Sequence, residues 1–262
     1  MPKFVAVVGG KHSGKTTVLT GLVQVFKKRG YKVATVKQMP NIETVDSPAT
    51  SHDTWKHSTA GADIVVASPK TETVFFIKNK MNLNQIAAFL QDCDYVFLEG
   101  FEQEKTLAKI VAAKTMQEIQ QYMDGLEIAV SGLIMESNEQ TAKAAELGLP
   151  MFNVLVDAEK LADLVENKAF GLLAGLIHCG ECGFPTCYDL AKALVAGDPK
   201  ARGCALLSGE RTVSLEVNGV KVPIKEFPRD VIKNVLEGVV LTLHGVKQIQ
   251  TLTIKIENKP KD

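Results

Sequence analysis

The chain has no excess of charge of either sign: 30 basic and 30 acidic residues cancel over 262. Binding to nucleic acid or to an anionic membrane draws on a basic surface, so neither has an electrostatic case here. Long hydrophobic runs are missing too. The longest apolar stretch, Ala169 to Ile177, falls far short of the roughly 20 residues that cross a bilayer. No basic, apolar and small-residue signal pattern precedes the first strand, so a cytoplasmic protein is expected. There is no internal repeat or low-complexity tract. What remains is ordinary globular material, 45% hydrophobic, able to bury a core without staples. Cysteine is sparse and unevenly placed. Of five, Cys93 stands alone as a small buried hydrophobe, while Cys179, Cys182, Cys187 and Cys204 crowd one segment. In a reducing compartment that grouping predicts a metal or iron–sulfur site rather than a disulfide framework.

The most informative stretch lies near the start. Phe4 to Val8 is apolar, Gly9 is followed after four residues by Gly14-Lys15-Thr16, and apolar residues then recur at three- and four-residue steps through Phe26. That is strand, phosphate loop, helix. The glycines let successive N–H groups face one anion, and the helix beginning near Lys15 aims its positive end at the same point. The candidate phosphate cradle is therefore Gly10, Lys11, His12, Ser13, Gly14, Lys15, Thr16 and Thr17. Lys15 would reach the β- and γ-phosphates, and the Thr16 hydroxyl would take a Mg²⁺ position.

Farther along, Tyr31 to Lys37 predicts a second strand, and polar Gln38 to His52 a loop or lid. Asp53 to Ala62 predicts a short helix, followed by strands at Ile64–Ala67 and Thr73–Ile77. Asp94 to Phe101 is nearly all apolar, as a central parallel strand buried on both faces should be. Strands at Ala108–Ala113, Ile128–Ser131 and Met151–Val154 alternate with helices at Thr115–Met123, Asn138–Leu147 and Ala158–Val165. The fold class is thus α/β, a P-loop NTPase with a mostly parallel sheet, over residues 1–168. A small helical four-cysteine domain over 169–209 follows, and then a small α+β module over 210–262. In that module Asn218-Gly219 joins two alternating strands, Pro228 opens a helix to about Leu236, and Leu252–Ile256 closes with a third strand.

A P-loop hydrolase needs an acidic group at the tip of a neighbouring strand, to hold Mg²⁺ or orient the attacking water. Asp94 starts the central strand and sits at its wrong end. Glu99 finishes it and is the candidate catalytic partner of Lys15.

Together the phosphate loop, Lys37, Asp53-Thr54-Trp55-Lys56-His57, Ala60-Gly61-Ala62 and Leu98-Glu99-Gly100-Phe101 resemble MobB, the molybdopterin-guanine dinucleotide biosynthesis protein B family, over about residues 1 to 165. The resemblance implies a dimeric, GTP-binding, weakly hydrolysing protein that assists attachment of a guanine nucleotide to molybdopterin. The guanylyl transfer itself would belong to a partner guanylyltransferase, and a molybdoenzyme would be the client. It also brings Lys37, Asp53 and Gly100 into the candidate nucleotide site; Lys37 and Asp53 read equally as solvated loop residues. GTP rather than ATP is implied by resemblance alone, since Asn79-Lys80-Met81-Asn82 lacks the final Asp of a guanine-reading string.

Cys179, Cys182, Cys187 and, after sixteen intervening residues, Cys204 supply four thiolates. Zinc and a 4Fe-4S cluster both accept such a set. Three ligands on one tight loop and a fourth beyond a helix at Tyr188–Ala196 differ from the paired knuckles of structural zinc. Residues 176 to 207 resemble the four-cysteine 4Fe-4S domain of Rnf-type electron-transport subunits and corrinoid iron–sulfur proteins. Two functions are therefore expected, a GTP-binding assistant of molybdenum or tungsten cofactor biosynthesis carrying a cluster, or a nucleotide-gated iron–sulfur redox or maturation protein. A pure binding module switched by nucleotide is the third.

Overall fold

The computed structural model describes residues 1–41, 52–175, 180–205, 213, 215–218, 220–222, 224, 226–243 and 252–254. In chain order, β1 (Lys3–Val8), α1 (Lys15–Lys28) and β2 (Val33–Lys37) come first. Next are α2 (His52–Thr59), β3 (Ile64–Ala67), β4 (Val74–Ile77), α3 (Leu83–Ala88) and β5 (Tyr95–Glu99). β6 (Ala108–Ala112), α4 (Met116–Tyr122), β7 (Glu127–Ser131), a 3-10 turn (Leu133–Glu136), α5 (Asn138–Ala145) and α6 (Val154–Lys168) follow. The chain then passes through β8 (Phe170–Gly171), α7 (Cys187–Ala196), β9 (Leu215–Val217), β10 (Val220–Val222) and α8 (Glu226–Leu241).

β2, β5, β1, β6 and β7 pair in that order, all parallel. β1 is central, so its side chains are divided between two cores. Val5 and Val7 join α1 and α6 on one face, while Phe4, Ala6 and Val8 meet Leu83, Ile119 and Ile134 on the other. That alternation is the two-residue period of a strand applied to a sheet covered on both sides. β5 is buried from Tyr95 to Glu99, as its apolar run predicts. β8 runs antiparallel to Lys3 and Phe4, in the place left open because β6 pairs with β1 only from Val5. The sheet therefore takes in the chain beyond Asn167.

Some expected elements differ. Met151 makes only an isolated bridge to Val130, and the Asn153 side chain accepts from Leu155 N–H to start α6 at Val154. The expected strand at 151–154 is thus a bridge and a helix cap. β3 and β4 form their own antiparallel hairpin. In the C-terminal module, Asn218 at φ 53 turns β9 into β10, with Val217 opposite Val220, as the Asn-Gly pair predicts. α8 is longer than expected, Pro228 falling in its first turn. Leu252 to Ile254 carry no strand; the rest of the strand expected there lies outside the described residues.

Beneath β6, a charge is buried. Lys109 is 1% exposed, and its ammonium donates to Asp124 Oδ2 at 2.7 Å and to the Glu102 carbonyl at 2.9 Å. Lys105 donates to the same Oδ2 at 2.5 Å. The Tyr188 hydroxyl of α7 donates to the Asp124 carbonyl, which ties the cysteine-bearing helix to the sheet. Burial pushes the Asp124 carboxyl up, but the hydrogen bonds from Lys105 and Lys109 prevail and hold it below its usual value. Replacing Asp124 by Asn leaves Lys109 buried and unpaired, and should lower the unfolding free energy in urea at pH 7 by about 3 kcal/mol. A carboxyl depressed by folding contributes stability above its unfolded pKa of about 3.9, and loses it as pH falls through the folded value. The gap between variant and wild type should therefore be constant near neutrality and narrow only below about pH 4.

Candidate functional site

The loop between β1 and α1 is packed so closely that glycine is required. A Cβ on Gly9, at φ +145, would lie 1.9 Å from the Ala112 carbonyl oxygen. Gly14 caps α1 at φ 96, and His12 is also left-handed at φ 58, which produces the curl. Gly132, immediately after β7, is as tightly placed: at φ +91 its Cβ would lie 2.4 Å from the Ser13 carbonyl oxygen, and Leu133 N–H donates to that oxygen at 3.1 Å. Lys114 Nζ donates to the Lys11 carbonyl at 3.1 Å, while Glu118 accepts from Lys114 N–H at 2.7 Å and borders Gly10. Gly132, Lys114 and Glu118 were not among the residues expected from sequence. A glycine directly after a strand's carboxyl end was a readable signal for Gly132; Lys114 and Glu118 belong to no motif.

Four expected residues converge on the start of α1. Lys15 Nζ donates to the carbonyls of Gly9 at 3.0 Å and Gly10 at 2.6 Å. The Thr16 hydroxyl donates to both carboxylate oxygens of Glu99, at 3.0 and 3.1 Å. Lys37 Nζ pairs with Glu99 Oε1 at 2.8 Å. Glu99 itself is 8% exposed, so this carboxylate is an acceptor in a largely dry setting between a hydroxyl and an ammonium. Gly100 follows at φ +91, its N–H donating to the Val7 carbonyl at 3.0 Å. Lys11, His12 and Thr17 line the loop as exposed residues. Asp53 meets Lys56 at 3.1 Å on its own helix, and Trp55 is 60% exposed. Residues 42–51 of the expected lid lie outside the described residues.

Two features fit an anion. α1 has no side-chain cap hydrogen bond, which leaves its first-turn N–H groups for another acceptor. Ser13 Oγ is fully buried with no hydrogen-bond partner. Phosphate oxygens would satisfy both.

The cysteine segment packs on the α1 face of the sheet. Cys182, Cys187 and Cys204 line one cleft with Gly180, Phe184 and Leu190; Cys179 lies outside the described residues. Thr186 caps α7 by accepting from Asp189 N–H, placing Cys187 at the helix start. Among the described residues no three thiol, imidazole or carboxylate groups are gathered closely enough to hold a single metal ion. Sulfur donors on an apolar-walled cleft fit an iron–sulfur group in donor chemistry. Cys93 is half-buried against the second core.

A parallel sheet with β1 central, a glycine loop feeding α1 and an acid at the tip of β5 defines a P-loop nucleotide-binding fold. Residues 4–132 match the MobB family, described as molybdopterin guanine dinucleotide synthesis protein B, and residues 177–206 match the family described as "Putative Fe-S cluster". The chain is 28% identical over 260 residues to a "Putative molybdopterin-guanine dinucleotide biosynthesis adapter protein" of Methanocaldococcus jannaschii, covering 97% of each. The crystal structure of Bacillus subtilis MobB superposes with a TM-score of 0.52 at 20% identity, over 64% of this chain and 99% of that one. Over residues 4–132 the sheet domain of this chain is thus MobB-like.

The close packing gives a direct expectation. Gly132→Ala would drive a Cβ against the Ser13 carbonyl, whereas Gly30, also at positive φ, has open space around it. Gly132→Ala should cost about 2 kcal/mol and lower the melting temperature by about 6 °C. Gly30→Ala, with backbone strain alone, should cost about 1 kcal/mol; calorimetry of the two variants makes the comparison.

Proposed function

We propose that the chain binds GTP with Mg²⁺, hydrolyses it slowly, and acts as an adapter in molybdopterin-guanine dinucleotide biosynthesis for molybdenum or tungsten enzymes. The observation that carries this reading is the buried Glu99 carboxylate held between Thr16 and Lys37 at the first turn of α1. On arrival of a triphosphate, Lys15 leaves the Gly9 and Gly10 carbonyls for the β- and γ-oxygens, exchanging two neutral acceptors for anionic ones. The loop N–H groups and Ser13 Oγ hold the same oxygens. Mg²⁺ bound with the nucleotide supplies further neutralisation of charge as the γ-phosphoryl departs. Thr16 and Glu99 are the side chains positioned to hold that ion, and Glu99 or its solvent orients the attacking water. Gly100 shapes the adjoining turn, Lys37 would exchange Glu99 for phosphate, and Asp53, in the first turn of α2, is assigned to the site on the family resemblance alone.

Cys179, Cys182, Cys187 and Cys204 would hold a 4Fe-4S cluster, which supplies one-electron chemistry or a structural staple. The residue divisions 1–168, 169–209 and 210–262 are proposed on the same reading, with β8 of the second part returning to the sheet, and a cytoplasmic location suits a nucleotide ligand and reduced thiols. A guanylyltransferase or molybdoenzyme client is the partner. The second reading, a nucleotide-gated iron–sulfur maturation protein, is favoured by one observation: Leu190 and Ala191 of α7 share a buried core with Val18 and Leu22 of α1.

A homodimer is proposed through the β3–β4 hairpin. Val66 lies opposite Phe75 and Ile64 opposite Ile77, and Ile64, Val66 and Phe75 are 57%, 49% and 56% exposed. An apolar ladder of this kind suits a second copy of itself. Phe75→Glu should shift the protein from dimer to monomer in sedimentation at micromolar concentration while leaving its circular dichroism unchanged.

Calorimetric titration with Mg²⁺·GTP and Mg²⁺·ATP tests the main reading. Wild type should bind GTP, and Lys15→Ala should weaken it at least 100-fold; binding of neither nucleotide ends the proposal. Anaerobically purified protein should carry iron and acid-labile sulfide in near-equal amounts, and a colourless zinc form would remove the cluster from it.

A further inference from the structure

Behind Glu99 the backbone makes a turn that few residues tolerate. Gly100 is at φ +91 and Phe101 at φ +62, two successive left-handed residues, the second with a bulky side chain. Such a conformation is strained for a non-glycine and persists only where its surroundings enforce it. One side chain does so. Gln38 Oε1 accepts from Phe101 N–H at 2.8 Å. The same residue's N–H donates to the Glu99 carbonyl at 3.0 Å, extending the β2–β5 ladder one rung past Lys37. A Cβ on Gly100 would lie 3.3 Å from Gln38 Cβ, so the glycine and the glutamine occupy one tight junction.

We infer that Gln38 is a positioning residue for Glu99, acting through the 99–101 turn; as a role in turnover, this rests on the nucleotide-hydrolysis reading above. Lys37 and Gln38 hold Glu99 in different ways. The lysine pairs with the carboxylate, and the glutamine grips the backbone that follows it, at the Glu99 carbonyl and the Phe101 N–H. Gln38 touches neither the phosphate loop's carbonyls nor the Lys15 ammonium, whose bonds lie within the loop. Losing its acceptor frees Phe101 to relax toward ordinary φ, and Glu99 swings with it. The anion cradle is left as it was.

The test has two arms. In nucleotide-free protein, amide hydrogen exchange at Phe101 should be at least tenfold faster in Gln38→Ala than in wild type. Gln38→Glu keeps an acceptor and should keep the protection. In turnover, Gln38→Ala should lower kcat at least tenfold while the nucleotide Kd changes less than threefold. Unchanged exchange at Phe101, or affinity and kcat falling in the same proportion, overturns the inference. If wild type neither binds nor hydrolyses nucleotide, the hydrolysis reading falls, and the exchange ratio alone decides whether Gln38 holds the turn.

Discussion

The architecture depends on how closely one strand end approaches another. Gly9 lies against the Ala112 carbonyl and Gly132 against the Ser13 carbonyl, at distances no Cβ survives. These contacts wedge the phosphate loop between the carboxyl ends of β6 and β7, so its curl is set by neighbours as well as by its own glycines. β1 must then be central in the sheet, because a loop on an edge strand would have backbone on one side only. Centrality in turn places the tip of β5 on the loop's other flank, and that is where Glu99 finds Thr16.

Within that frame the charges are held on the protein's own acceptors. Lys15 rests on two carbonyls of its loop, and Lys37 on the carboxylate that a divalent cation would contact. Neither arrangement is strong. The carbonyl bonds are neutral-acceptor ones, and Lys37 is 54% exposed, so its pairing is screened by water. Under the nucleotide-binding reading, an incoming anion would exchange the two carbonyl bonds of Lys15 for ion pairs in the same position.

Local signals carried much of this. The glycine spacing, the apolar run of β5 and the Asn-Gly hairpin each encode their structure within a few residues, and each has the structure its pattern predicts. The misread strand at 151–154 has a physical cause: a short apolar string satisfies strand and helix start alike, and Asn153 tips it by capping α6. β3 and β4 are short apolar runs like the strands of the main sheet, yet the pairing partner is decided by tertiary geometry that such runs do not contain. Gln38, Lys114 and Glu118 act through contacts with residues 63, 103 and 108 positions distant. No single-sequence pattern carries such distances.

The thiols and the phosphate loop occupy opposite ends of the sheet. Tyr188, beside Cys187, bonds to Asp124 just ahead of β7, and Lys168 at the end of α6 donates to Val195 of α7 at 2.6 Å. Both contacts lie at the amino edge of the parallel strands, whereas the loop follows the carboxyl end of β1. α1 runs between these ends: its 14 residues span about 21 Å. Its first turn faces the anion site, and Arg29 beyond its last turn holds Glu159, Asp163 and Glu166 of α6. That separation is about two and a half times the screening length of physiological salt, so direct charge coupling is weak. What links the sites is packing, since Leu190 and Ala191 of α7 and Leu22 of α1 share one buried cluster. Any influence of the cysteine segment on the phosphate loop would therefore be transmitted as movement or stiffening of α1 against α6 and α7.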